Sequence, residues 1–475
     1  MARRHLSLRV GDDAAARELR AGFARIRAEL DLPDGFPAAV REEAERAARE
    51  PRLPAYDVTD LPFLTIDPPG STDLDQAMHL ERRDRGYRLR YAIADVAAFV
   101  APGRDVDAEA HRRGETLYSP DTRTPLHPEV LSEGAASLLP GETRPAVLWT
   151  LDLDSAGEQV RVDVRRALVR SRDRFHYAEV QGLIDSGRAD ERLQLLAEVG
   201  RLRKEIEVER GGISLPIPEQ RVEETESGFR LGYRTSLPVE SWNEQVSLLT
   251  GMSAAALMLH GEIGVLRTLP EAPQDAIQVL RRAAKALEIE WPSDRSYAEV
   301  INRLDAAEPR HAAFLEDATM LLRGAGYTAF DGGVPEQATH AAVAAEYAHA
   351  TAPLRRLVDR YVSEVCLALC AGDEVPDWVR GVLPRLPDAM AESSRRAGAL
   401  ERECVALMEA VVLRDAVGQE FDAVVVEVNG KGGTVQLAEP AVRAPFAGDL
   451  PLGEPVRVRL AEADVERRSV RFTPA

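Results

Sequence analysis

The chain has 475 residues, 45% of them apolar and 29% charged, a composition that excludes a disordered or fibrous protein and leaves room for several cores. Its most apolar stretch, Val246 to Leu259, is 14 residues long, short of the ~20 that a helix needs to cross a bilayer. The net charge of −19 argues against a polyanionic partner, yet all basic residues except Lys204, Lys285 and Lys431 are arginine, whose planar fork grips phosphate through two hydrogen bonds.

The first fifty-odd residues predict two amphipathic helices, Asp12 to Leu30 and Pro37 to Glu50, joined by the turn Asp31 to Gly35. A helix-turn-helix unit and a plain helical hairpin both fit. The opening Met-Ala-Arg-Arg-His leads into charged residues rather than an apolar signal core. From Tyr56 the texture changes to short β-type runs such as Tyr87 to Val100 and Ala146 to Leu153. Helical periodicity then dominates from Trp242 to about Val417, ending in a long helix from Asp388. Cys366, Cys370 and Cys404 form no CxxC pair, which suits a reducing cytoplasm, and Cys366 and Cys370 read as small buried hydrophobes. The last residues supply five short strands, starting with Phe421 to Leu437 around a Gly-rich turn, the pattern of a small OB-type barrel. The expected division is a helical segment over 1–55, an α+β catalytic domain over 56–417 and the barrel over 418–475.

The densest chemical feature is Thr65-Ile-Asp67-Pro-Pro-Gly-Ser-Thr-Asp73-Leu-Asp75-Gln76. A strand delivers Asp67, a Pro-Pro-Gly turn reverses the chain, and Asp73 and Asp75 return on alternate residues. Three converging carboxylates repel one another unless a hard cation such as Mg²⁺ or Mn²⁺ sits among them. A calcium loop of the EF-hand type fails, because Met78 and Asp84 stand where its glycine and glutamate belong. A solvated turn remains the plain alternative. Further on, Tyr347 to Arg360 sets Arg355 and Arg356 just after Pro353, so that two guanidinium forks and the N-terminus of a helix are expected to face one anion. Carboxylates for metals and arginines for phosphate oxygens are the inventory for phosphoryl transfer to water.

With these stretches in view, the chain resembles the ribonuclease II/R (RNB) family of exoribonucleases over roughly Tyr56 to Val417. The resemblance is carried, in family order, by the acidic cluster, Ile93 to Val100, Arg113-Gly-Glu-Thr-Leu-Tyr118, Pro125-Leu-His-Pro128, Leu131-Ser132, Arg210 to Glu219, Asn243-Glu244 and Thr351 to Asp359. It implies an RNB-type catalytic domain with an OB-fold tail. Asp67, Asp73 and Asp75 would be the catalytic and metal-binding acids, and Arg355, seconded by Arg356, would meet the scissile phosphate. Tyr177 would be one jaw of a clamp on the terminal bases. Glu244 would accept the 2′-OH that distinguishes RNA from DNA.

The chain departs from the family at three places. Gln76 stands where a fourth aspartate is usual, a neutral ligand expected to hold metal more weakly. Leu215 falls where relatives often carry the opposing aromatic of the clamp. The helical segment before Tyr56 replaces paired cold-shock barrels, which implies a wider entrance that admits duplexes with a 3′ overhang. The expected protein is a monomeric, cytoplasmic, divalent-metal-dependent 3′ to 5′ exoribonuclease that acts on single-stranded RNA and has no membrane partner. The rival readings are an RNA-binding or maturation module that keeps the fold without the chemistry, and a phosphodiesterase of small nucleotides.

Overall fold

The computed structural model describes residues 7–9, 14–215, 219–225, 228–234, 236–305, 308–429, 432–437, 440 and 442–475. Asp12, Pro216 to Pro218 and the Gly430-Lys431 turn, all part of the sequence expectations, lie outside these. The molecule is a mixture of helices and two closed five-stranded barrels.

The Ala-, Arg- and Glu-rich start forms α1 (Ala14–Glu29) and α2 (Ala38–Arg49). Leu19, Phe23 and Ile26, spaced to share one face of α1, are completely buried. They join Leu400, Leu407 and Val411 and the interior of the tail barrel in one apolar cluster. Gly22 lies against Leu407, and a Cβ there would sit 2.6 Å from Cδ2 of that leucine. α2 instead buries Val40 and Ala44 in a cluster with Phe63 and Leu74, so the two helices are seated on different cores.

Next come β1 (Phe63–Ile66), β2 (Gln76–Arg83), β3 (Gly86–Ala94), α3 (Asp105–Arg113) and a tiny hairpin of β4 (Leu117–Tyr118) and β5 (Arg123–Thr124). Strands β6 (Thr143–Leu153) and β7 (Gln159–Phe175) follow. The first barrel runs β1-β2-β3-β6-β7 and closes by parallel pairing of β1 with β7. Two of its strands, β3 and β6, are buried on both faces over part of their length. On β3 and β6, Leu89, Tyr91, Ile93, Val147, Trp149 and Leu151 enter one cluster, while Ala92, Ala94, Ala146 and Leu148 enter another. That two-sided burial explains why the sequence shows continuous apolar runs here rather than clean alternation.

α4 (Tyr177–Asp185), α5 (Glu191–Arg210) and α6 (Pro238–His260) pack on this barrel, followed by α7 (Leu357–Ala371) and the 28-residue α8 (Leu386–Leu413). Cys366 lies wholly buried on α7, and Cys404 on α8 is almost so; all three cysteines are free. The tail barrel comprises β8 (Glu420–Asn429), β9 (Gly432–Leu437), β10 (Arg443–Ala447), β11 (Pro455–Asp464) and β12 (Ser469–Pro474). It closes in the order β8-β9-β10-β12-β11, the OB-type barrel expected. Among the described residues no helix is long and apolar enough to cross a membrane.

Candidate active site

Asp67 leaves the end of β1 with its N–H bonded to the Phe175 carbonyl at 3.1 Å. The turn that follows has proline at its second position and Gly70 at its third, where φ is +87°, the left-handed conformation that glycine adopts without strain. The chain then runs into β2. Leu74 is fully buried, its N–H bonded to the Ser137 hydroxyl at 2.9 Å and its carbonyl to the Leu138 N–H at 3.0 Å. Its neighbours Asp73 and Asp75 are thereby turned the other way.

Asp75 is almost entirely buried and fully engaged. Oδ1 accepts the Leu354 N–H at 2.8 Å and Oδ2 accepts Nε of Arg355 at 3.1 Å. Arg355 keeps 41% of its side chain exposed, so it is held at one edge and open at the other. Arg356 behaves differently. Both arms of its guanidinium lie on Asp359, at 2.9 and 2.8 Å, and Asp359 also accepts the Ala352 N–H at 2.7 Å. The expectation that both arginines face one anion is therefore corrected. Arg356 has extended backbone and caps α7, which begins only at Leu357, so successive side chains diverge. Arg356 shapes the loop, and of this pair only Arg355 bonds the acidic cluster.

The three acids are electrostatically coupled, but the expected convergence is incomplete. Among the described residues no three acidic, histidine or cysteine side chains form a ready-made metal cluster. The cause is visible in the partners: Asp75 is turned to Arg355, and Asp73 accepts Nη1 of Arg123 at 2.8 Å. Asp67 contrasts with both, because its Oδ2 is buried with no hydrogen-bond partner. Burial pushes the Asp67 carboxyl up to about 6, against the opposing pull of Arg174 and Arg355. Burial likewise raises Asp75 to about 7, although Arg355 and the Leu354 N–H oppose it. An orphaned buried carboxylate oxygen beside two further carboxylates is a donor set that fits a hard cation.

The orphaned oxygen makes Asp67 costly for the fold. Its raised pKa means that the folded protein binds this proton more tightly than the unfolded chain does, so stability falls as pH rises from the unfolded value of 3.8 through about 6. Asp67→Asn is expected to stabilise the metal-free protein by about 1–3 kcal/mol near pH 8 and by nothing near pH 4. Thermal melts in chelator check this; an equal or lower melting temperature for the variant near pH 8 would contradict it.

Gln76 opens β2 with both ends of its amide engaged: Nε2 donates to the Thr351 carbonyl at 2.6 Å, and Oε1 accepts the Tyr91 hydroxyl at 2.5 Å. It ties the acidic strand to the arginine loop, with one oxygen lone pair left over. Tyr177 starts α4, half-buried, and its hydroxyl accepts Nδ2 of Asn243 at 3.1 Å. One turn along α6, Ser247 bonds the Thr351 hydroxyl at 2.7 Å. Glu244 is exposed on this helix. Leu215 and Tyr177 pack against different apolar clusters.

Two neighbours were not expected at the site, Tyr118, read only as part of a family motif, and Arg123; they face each other across β4 and β5. Tyr118 is 38% exposed, yet surrounding protein pushes its hydroxyl up to about 12, with Asp73 and Asp75 adding to the effect. Glu244 too is exposed but raised by the protein around it.

Residues 55–371 match the RNB domain, and residues 419–475 match the RNase II-type exonuclease C-terminal S1 domain. The chain belongs to the RNB family of exoribonucleases. It is similar to Ribonuclease R of Escherichia coli (strain K12), 28% identical over 446 residues, covering 86% of this chain and 53% of that protein. The chain thus spans about half the length of such curated relatives. Its fold matches that of Mycoplasma genitalium RNase R in complex with ribose methylated single-stranded RNA, with a TM-score of 0.84, 19% identity, and coverage of 98% of this chain and 78% of that one. It also matches yeast Ssd1, a pseudonuclease, with a TM-score of 0.70, 15% identity, and coverage of 94% and 57%. Fold alone therefore does not separate an active nuclease from an inactive one.

Proposed function

We propose that the chain is a hydrolytic exoribonuclease that takes single-stranded 3′ ends and releases nucleoside 5′-monophosphates with the help of Mg²⁺ or Mn²⁺. The observation that carries this reading is the pairing of Asp75 with the half-open Arg355, beside the unpartnered buried oxygen of Asp67. Asp67, Asp73 and Asp75 would hold the ion, with Gln76 as a weak neutral contributor. When bound, such an ion neutralises phosphate charge and makes water more acidic. The open edge of Arg355 lies ready for a non-bridging phosphate oxygen, and Asp75 fixes its orientation. In the reaction the water oxygen bonds to phosphorus and the P–O3′ bond breaks. The shortened chain keeps a 3′-hydroxyl, and the released nucleotide keeps its 5′-phosphate.

Tyr177 would stack on a terminal base, its ring steadied by Asn243. With Leu215 packed elsewhere, stacking would be one-sided, weaker by up to ~1–3 kcal/mol per base. Glu244, when ionised, would accept the 2′-OH and leave DNA a poorer substrate. A cytoplasmic monomer belongs to the same reading, supported by free cysteines. One observation favours the rival, an RNA-binding module without chemistry: Gln76 is neutral, and its oxygen already accepts the Tyr91 hydroxyl. Digestion of one 5′-labelled and one 3′-labelled oligoribonucleotide with Mg²⁺ or Mn²⁺ decides between them. The expected products are a 5′-labelled ladder shortening from the 3′ end and labelled monophosphate from the other substrate. Bound RNA with no release would leave the binding module.

A further inference from the structure

The guanidinium of Arg123 lies inside the acidic site and is too well held to be incidental. It comes from β5, directly across from Tyr118 on β4. The Ser119 N–H closes the hairpin on the Thr122 carbonyl at 2.8 Å. Nη1 donates to Oδ1 of Asp73 at 2.8 Å, and Nη2 donates to the Thr72 hydroxyl at 2.8 Å and pairs with Glu133. Thr72 in turn donates to Oε2 of Glu133 at 2.6 Å. Arg123, Asp73 and Glu133 are all largely buried. A planar fork bridging two carboxylates in a sheltered place keeps its geometry, unlike a surface pair.

Resting on the nuclease reading, we propose that Arg123 is a built-in positive charge that holds Asp73 and limits the acidic site to one divalent ion. Nucleases of the two-metal kind place a second ion about 3.5–4 Å from the first, shared between carboxylates. Here Oδ1 of Asp73 already accepts Arg123, each oxygen of Asp75 already accepts one hydrogen bond, from Leu354 or Arg355, and position 76 carries no charge, so fewer lone pairs and less negative charge are left for a second ion. The buried oxygen with no partner is on Asp67. The charge balance points the same way. With all four ionised, as a bound cation favours, Asp67, Asp73, Asp75 and Glu133 bring −4, and Arg123, Arg355 and Arg174 bring +3, a sum of −1. One divalent ion makes the site +1, the complement of a single phosphodiester. Two would make it +3 in a poorly solvated pocket, where like charges repel strongly. Arg123 is thus a positioning residue: it touches Asp73, and Asp73 acts on the ion.

The test counts ions directly. Calorimetric titration of Mn²⁺ into the full chain without RNA should give one ion per chain. Arg123→Gln, which removes the charge but retains a hydrogen-bonding group, should admit a second ion, and Arg123→Lys should return the count to one. A purely structural role for Arg123 would not move a count in this way. Two ions in the parent overturn the proposal while leaving the nuclease reading intact, and this result needs no variant to fold. A count of one in both the parent and a folded Arg123→Gln also overturns it. No Mn²⁺ binding by the parent, together with no monophosphate release, overturns the nuclease reading itself.

Discussion

Asp75→Asn is expected to lower turnover on a single-stranded oligoribonucleotide by about 10³-fold or more, while RNA affinity stays within about threefold. Asparagine keeps an oxygen for the Leu354 N–H but presents a neutral amide to Arg355, with no charge left to orient the guanidinium or to share in holding an ion. Binding should survive because the contacts proposed for Tyr177 and Glu244 do not use this carboxylate, whose partners are Leu354 and Arg355. Single-turnover cleavage and filter binding on the same oligonucleotide separate the two effects. Equal losses in both would mean that Asp75 supports the fold of the channel rather than the chemical step.

Removing the inner face of α1 should have the largest effect on stability. Phe23→Ala is expected to destabilise the protein by about 3–5 kcal/mol, because the ring is fully buried and its neighbours cannot collapse onto the space. Cleavage should fall as well at temperatures where the variant remains folded. Arg27, one turn from Phe23, donates to Asp121 at 2.7 Å, and Asp121 lies in the hairpin that carries Tyr118 and Arg123. Denaturant unfolding and initial cleavage rates measure both. A stability loss below about 1 kcal/mol would show that α1 is an appendage. Deleting α1 outright is accordingly a poor probe of entrance width, since it would open the shared core.

Much of the architecture was legible because it rests on local patterns. The helices at both ends of the chain and the tail strands have strong periodicity, and the end of α1 and the boundaries of α2 and α8 differ from expectation by a few residues. The first barrel was not legible. Its closure depends on β1 meeting β7 across about a hundred residues, and two-sided burial in β3 and β6 blurs the alternation that marks a strand. At the site, the acids and Arg355 could be read from their spacing and family likeness. The divergence of Arg355 and Arg356 could not, because it depends on Asp359 fixing the loop ahead of α7. Arg123 was hidden for a similar reason: one arginine among many acquires meaning only when Glu133 and Asp73 fold to either side of it.

The seating of α1 also sets a timetable for the growing polypeptide. Its partners are made some four hundred residues later: Glu18 pairs with Arg414 across 396 positions, and Glu29 with Arg468 across 439. At about 5–20 residues per second on the ribosome, the first helix waits for tens of seconds with Leu19, Phe23 and Ile26 lacking the surfaces that later cover them. Closing a loop of that size is slow compared with forming a helix. The hairpin bearing Tyr118 and Arg123 is steadied through Arg27 only once this closure is made. In the proposed nuclease, this order would complete the Arg123 hairpin only after synthesis has passed α8, so a copy still being made would lack a finished site.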